Sequence, residues 1–228
     1  MKTFLLFILL LCTQPALADF TKGLDAYRKG DFSTAMQEFQ PLAQQGDAVA
    51  QFALGSMYDF GDGVTQNHKT AVKYYTLAAG QGNADAQFNL GSMYTDGLGV
   101  TQNYKTAVKW FTLAAEQGFT DAQYNLGWMY HNGQGVTQNY KTAVKWYTLL
   151  VEQGITDAQN NLGWMYHNGQ GVNQDTTSAH MWYNIAALQG SEKGLENRDI
   201  IAKEMTASQI EKAQMLASEC VAKDYKGC

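Results

Sequence analysis

Apolar residues return along this chain with the period of a helix face, not of a strand. Between 120 and 132, Ala122, Leu126, Met129 and Tyr130 stand at i, i+4, i+7 and i+8, with Asp121, Asn125, Trp128 and Asn132 among them. That spacing predicts an amphipathic helix with one face turned to a core. Gly133 and Gly135 follow, and glycine adopts the left-handed conformation that closes a last turn, so the helix is expected to end there. Asn139 is placed to cap a second helix, whose apolar positions are Ala143, Val144, Trp146, Tyr147 and Leu150 and which should stop at Gly154. Thr120-x-x-Gln123 reads as a capping box for the first helix, and Thr156-x-x-Gln159 repeats it.

This two-helix pattern is written four times in tandem, at 48–83, 84–119, 120–155 and 156–191, and the second and third copies share 26 of 36 residues. A fixed period of this size marks a stack of supersecondary units, each too small to bury its own apolar face. Asn67, Asn103 and Asp175 stand where Asn139 stands and should cap their own second helices. Gly55, Gly91, Gly127 and Gly163 fall inside the first helices, where each glycine costs about 1 kcal/mol against alanine. Four placements at one position predict close approach of a neighbouring helix, expected at Ala71, Ala107, Ala143 and Ala179. Residues 19–47 read as an N-terminal capping hairpin, turning at Gly30-Asp31. Residues 192–228 read as C-terminal capping helices, the last opened by Thr206-x-x-Gln209 and running to about Ala222. Trp110, Trp146 and Trp182 on the second helices are assigned to the core between repeats.

The first residues, MKTFLLFILLLCTQPALADF, carry one charge, Lys2, ahead of an apolar run from Phe4 to Cys12 and a small-x-small step at Ala16-Leu17-Ala18. The run is about half the ~20 residues that a membrane span needs. Residues 1–18 are therefore expected to be a cleavable signal peptide, with periplasmic placement expected and secretion the alternative. Leu11 stands where a lipidated cysteine would want a small residue, which argues against an anchor through Cys12. Without the leader, 15 basic residues face 21 acidic ones, and only Arg28 and Arg198 are arginines. Such a chain lacks the clustered positive charge that phosphate backbones require, so neither nucleic acid nor stable membrane insertion is expected. Cys220 and Cys228, inside SECVAKDYKGC, are the two cysteines beyond the leader, and an oxidising compartment predicts one disulfide between them, stapling the tail.

The string Ala-x-x-x-Leu-Gly-x-x-Tyr, then Gly-x-Gly-Val, then Lys-x-Ala-Val-Lys-Trp-Tyr, then Gln-Gly resembles the Sel-like repeat family, a branch of the tetratricopeptide superfamily. In the third copy it is carried by Ala122, Leu126, Gly127, Tyr130, Gly133, Gly135, Val136, Lys141, Ala143, Val144, Lys145, Trp146, Tyr147, Gln153 and Gly154. The resemblance covers 48–191, and the segment from Met181 to Gln214 is similar to the usual terminal unit of bacterial members. It implies an all-α fold, a right-handed α–α superhelical solenoid of helix-turn-helix repeats that recruits proteins or peptides. Some exported relatives have been associated with β-lactam binding or hydrolysis. They carry regularly spaced cysteine pairs within the repeats, and this chain has none between 19 and 219.

No serine beyond the leader sits in Ser-x-x-Lys, and neither a Gly-x-Ser-x-Gly elbow nor a His-Glu-x-x-His or phosphate-loop motif occurs. His131 and His167 occupy equivalent positions one repeat apart, but no third ligand accompanies them, so neither a metal nor another cofactor is expected. The candidate working surface is the face of the first helices opposite the Leu126–Met129 stripe. Asn89, Asn125 and Asn161 recur there, and an amide both donates to and accepts from a peptide backbone. Trp128 and Trp164 stand beside them as apolar anchors of the kind that dominate interfaces, with Tyr124, His131 and His167 as secondary candidates. Packing against the adjacent repeat is the competing role for Tyr124, Trp128 and the asparagines. The expectation is a monomeric, non-catalytic scaffold binding a protein or peptide partner in its concave groove. The alternative is a β-lactam-binding, β-lactam-hydrolysing or other cell-wall-directed enzyme.

Overall fold

The computed structural model describes residues 18–228, so the expected leader lies outside the described residues except for Ala18. Among the described residues there are twelve helices and no strand: α1 (Phe20–Arg28), α2 (Phe32–Gln44), α3 (Ala48–Phe60), α4 (His68–Gly80), α5 (Ala84–Asp96), α6 (Tyr104–Glu116), α7 (Thr120–Asn132), α8 (Tyr140–Val151), α9 (Thr156–Asn168), α10 (Thr176–Leu188), α11 (Glu192–Ala202) and α12 (Ala207–Ala222). From α1 to α11 each helix packs on the next in the chain, and α12 returns onto α10. This is a right-handed α–α solenoid, and its core is a string of clusters instead of one centre. One cluster joins α6 to α7 through Ala107, Phe111, Ala114, Ala122, Leu126 and Met129. Trp146 of α8 packs onto that cluster, and Trp110 of α6 packs onto the Tyr75–Leu90 cluster before it. Both are half-buried bridges between repeats, whereas Trp182 is fully enclosed.

The second helices begin as the sequence predicts. Asn67, Asn103 and Asn139 accept from the amides of Thr70, Thr106 and Thr142 at 3.0, 3.0 and 3.1 Å, and Asp175 accepts from Thr177 at 2.9 Å. Thr206 and Gln209 form the capping box of α12. The other two boxes do not form. Helix α7 starts at Thr120 itself, with Phe119 as N-cap and no side-chain cap bond, and α9 starts likewise after Ile155. Asp47 and Asn83 occupy that position in the first two copies and do cap. A lost cap costs about 1 kcal/mol. Phe119 packs instead back onto its own repeat, its ring 4.9 Å from that of Phe88.

Gln123 has another partner. Its Nε2 donates to the Ala115 carbonyl of α6 at 3.2 Å, and its Oε1 accepts from Gln153 at 3.1 Å. Gln51 and Gln87 make the same pair of bonds with Ala43 and Gln81 and with Ala79 and Gln117. One buried amide thus ties three successive helices, so these glutamines belong to the stack and not to a helix start.

The recurrent in-helix glycine also meets a different neighbour from the one expected. A β-carbon on Gly55, Gly91, Gly127 or Gly163 would stand 2.6–2.7 Å from the ring of Tyr75, Phe111, Tyr147 or Tyr183. The close approach is real, but its nearest partner is an aromatic ring one helical turn beyond the expected alanine; at Gly163 the expected Ala179 also lies close, its carbonyl oxygen 3.3 Å from such a β-carbon. Gly133 closes α7 in the left-handed conformation, whereas Gly135 abuts the Tyr104 carbonyl one repeat back and locks neighbouring units together.

Candidate functional site

The face of the odd-numbered helices carries the candidate residues, and two clefts of ≈ 220 Å³ each run along it. The first lies between α5 and α7 and is lined by Ser92, Asp96, Asn125, Trp128 and the Phe111 ring. The second lies between α7 and α9, where Trp128, His131, Asn161, Trp164 and the tip of Tyr147 meet Lys193 and Asn197 of α11. Trp128 therefore forms a wall common to both. Its position is Ser56 and Ser92 in the first two copies and Trp164 in the fourth.

Trp128 and Trp164 are 43% and 38% exposed. Each stands one residue before a buried methionine, Met129 or Met165, so the helix turns the tryptophan to the groove as it turns its neighbour to the core. Asn125 faces the first cleft and is half-buried, making no side-chain hydrogen bond. Asn89 lies beside the Tyr75 hydroxyl, which also approaches Ser56 and Asp59; burial is the main reason that the Tyr75 phenol is pushed up to about 12. Burial likewise raises the Tyr147 phenol. Aromatic rings from the second helices thus line the clefts, Phe111 the first and Tyr147 the second.

Of the two roles open to Tyr124, its position serves packing. Its ring centroid lies 6.1 Å from that of Tyr147, and its hydroxyl accepts from Asn161 Nδ2 at 3.3 Å. Asn161 thereby links α9 to α7 while facing the second cleft. His131 stands between Tyr140 and Trp164, at ring-centroid distances of 5.4 and 4.9 Å, and burial lowers its pKa. The Nδ1 of His167 is enclosed without a hydrogen-bond partner. Among the described residues no three metal-ligating side chains converge, and no helix is long and apolar enough to cross a membrane.

Helical spacing puts Asn160 on the candidate face, at the position of Tyr124, though not among the named binding residues, and sequence reasoning did not single out Lys193 or Asn197. Asn160 is buried in the wall of the second cleft, donating to Ser191 Oγ at 2.9 Å while its Oδ1 has no partner. A signal existed: Asn160 interrupts the column Phe52, Phe88, Tyr124. The opposite end of the face is apolar, where Phe20, Leu24, Tyr27, Val49, Phe52 and Ala53 enclose ≈ 310 Å³.

A family model described as Sel1 repeat matches residues 48–83, 84–119, 120–155 and 156–191. The chain is similar to the crystal structure of a Sel1 repeat protein from Oxalobacter formigenes at 32% identity, over 89% of this chain and 75% of that one, with a TM-score of 0.73. It is also similar to c5321, a protective antigen present in uropathogenic Escherichia coli strains that displays the SLR fold. There the identity is 34% and the TM-score 0.75, over 90% of this chain and 46% of that one. Curated proteins yield no match.

Proposed function

This chain belongs to the Sel1 repeat family, and from that membership we propose that it is a scaffold binding an extended segment of a partner protein along the odd-numbered helices. The fold itself hosts many roles, so the reading rests on the groove. The observation that carries it is the pair Trp128 and Trp164, large apolar surfaces left open at equivalent positions on either side of one cleft. Exposed aromatics beside a few polar groups are the usual composition of a binding hot spot. Asn125, Asn161 and, farther along, Asn89 supply amides for a peptide backbone. Asn160 adds an acceptor without a donor in the second cleft. We place this activity outside the cytosol, supported by the leader-like residues 1–18 and by the Cys220–Cys228 disulfide.

The test is capture from periplasm and culture medium by residues 19–228, wild type against the Asn125→Ala/Trp128→Ala double variant. A protein retained by wild type alone is the expected result, and peptides of that protein should then shift the tryptophan fluorescence of wild type upon titration. Equal capture by both forms overturns the groove reading. Turnover of a chromogenic β-lactam by wild type would replace it with the hydrolase alternative.

A further inference from the structure

The glutamine ladder that ties the repeats together breaks in the fourth copy. Gln159 is 0% exposed, yet neither Nε2 nor Oε1 has a partner. Its counterparts Gln51, Gln87 and Gln123 each accept from a glutamine 30 residues on. Here that glutamine is Gln189, whose Nε2 donates to Tyr225 Oη at 3.0 Å. The Oε1 of Gln189 still accepts from Thr156 Oγ1 as Gln153 accepts from Thr120. Gln159 thus lacks both ladder bonds, the one to a carbonyl eight residues back and the one from Gln189, and the C-terminal tail has taken the second.

The tail reaches this point by an unfavourable route. Asp224 and Tyr225, with φ of 50° and 63°, are the two non-glycine residues with positive φ among the described residues. L-residues avoid that region. The turn is closed by the Tyr225 amide on the Cys220 carbonyl at 2.9 Å and by the Cys220–Cys228 disulfide. Tyr225 then lies 3.5 Å from where a β-carbon on Gly154 would stand, against the cluster that holds Leu150 and Val151. Cys220 is buried and Cys228 exposed, so one sulfur of the bridge is open to attack.

We propose that the Cys220–Cys228 disulfide is a redox-controlled clasp on the end of the solenoid. Oxidised, it holds Tyr225 over Gly154 and keeps Gln189 away from Gln159. A dithiol reductant opens it by attack of one thiolate on Cys228 Sγ. Cys220 leaves as a thiolate and takes up a proton, and the second thiol of the reductant displaces Cys228. The dithiol supplies both electrons and departs as a disulfide. Freed of the bridge, the Asp224–Tyr225 turn relaxes, Gln189 pairs with Gln159 as in the earlier repeats, and the apolar edge at Gly154 is uncovered. The clasp is independent of the tryptophan groove.

The experiment uses ¹⁵N-labelled 19–228 with and without dithiothreitol, reading the side-chain amides of Gln159 and Gln189 and the backbone exchange of 223–228. On reduction, the tail should exchange at least tenfold faster, and the Gln159 and Gln189 signals should move while the Gln87 and Gln117 signals stay. Cys228→Ser, at the exposed end of the bridge, should reproduce the reduced spectrum without reductant while retaining its helical circular dichroism. Tyr225→Phe should move the two glutamine signals with the disulfide intact. Unchanged tail exchange on reduction, or a freed tail with unmoved glutamine signals, overturns the proposal.

Discussion

The ring of Tyr147 lies so closely over Gly127 that a β-carbon added there would stand 2.7 Å from Cε1. Overpacking of that kind costs about 1–3 kcal/mol, against a helix-propensity gain near 1 kcal/mol for replacing glycine with alanine. Gly127→Ala should therefore lower the thermal midpoint. Gly80, the last residue of α4, has nothing within 4 Å of its missing β-carbon. Gly80→Ala should raise the midpoint, by up to ~1 kcal/mol in stability. Equal shifts in both variants would remove the ring contact as the reason for glycine in the first helices.

The glutamine ladder predicts a second contrast. In Gln87→Leu the buried bonds to Ala79 and Gln117 disappear together, and unmatched buried polar groups cost about 1–3 kcal/mol. In oxidised protein Gln159→Leu removes two polar atoms that have no partners, so stability should hold or increase. The denaturation midpoint should fall in Gln87→Leu and hold or rise in Gln159→Leu. A matching loss in Gln159→Leu would show that this amide is satisfied in solution.

How much of this was legible in the chain differs between backbone and site. Helix count, repeat register and the Asn67, Asn103, Asn139 and Asp175 caps follow from local spacing, because a cap bonds residues two or three positions away. Gln123 misled because Thr-x-x-Gln fits a capping box and a tertiary clamp equally well. The bond that decides runs eight residues back, to Ala115. Gly127 was marked by its cost, but its partner depends on helix rotation, which sequence spacing does not specify. The groove was half visible: Trp128 stood out as an aromatic replacing serine, whereas Lys193 and Asn197 join the cleft only once α11 has folded against the end of the stack.

Stability separates the groove residues from their supports. Trp128 keeps 43% of its surface open to solvent, so its truncation removes less packing than that of an aromatic held between helices. Tyr124 packs on Tyr147, and truncating an aromatic in packing costs about 2 kcal/mol or more. Trp128→Ala should thus melt close to wild type, and Tyr124→Ala well below it. A destabilised Trp128→Ala would move this tryptophan from recognition to packing, and partner loss in that variant would then say nothing about the groove.

Acid sensitivity should appear in two steps. His180 is 2% exposed with Nδ1 unpartnered; burial first, then Arg198, push its pKa below the ordinary 6.5, with Asp199 opposing. Burial lowers His131 as well. For each, the unfolded chain takes up its proton at higher pH than the folded one does. The stabilisation is therefore complete above about pH 6.5 and is lost as the pH falls through the folded value, with a slope of at most about 1.4 kcal/mol per pH unit per histidine. Asp31 and Glu38 are shifted below the ordinary carboxylate values of 3.8–4.5 by hydrogen bonds, and at Asp175 burial pushes upward but the bonds from Ser178 and Thr177 together outweigh it. Their contribution is present above that range and disappears only in stronger acid. Thermal midpoints taken from pH 7.5 to 5 should fall for wild type and fall less for His180→Gln, while both forms share the steep loss below about pH 4. An identical slope between pH 6.5 and 5 in the two forms would remove His180 from the acid response.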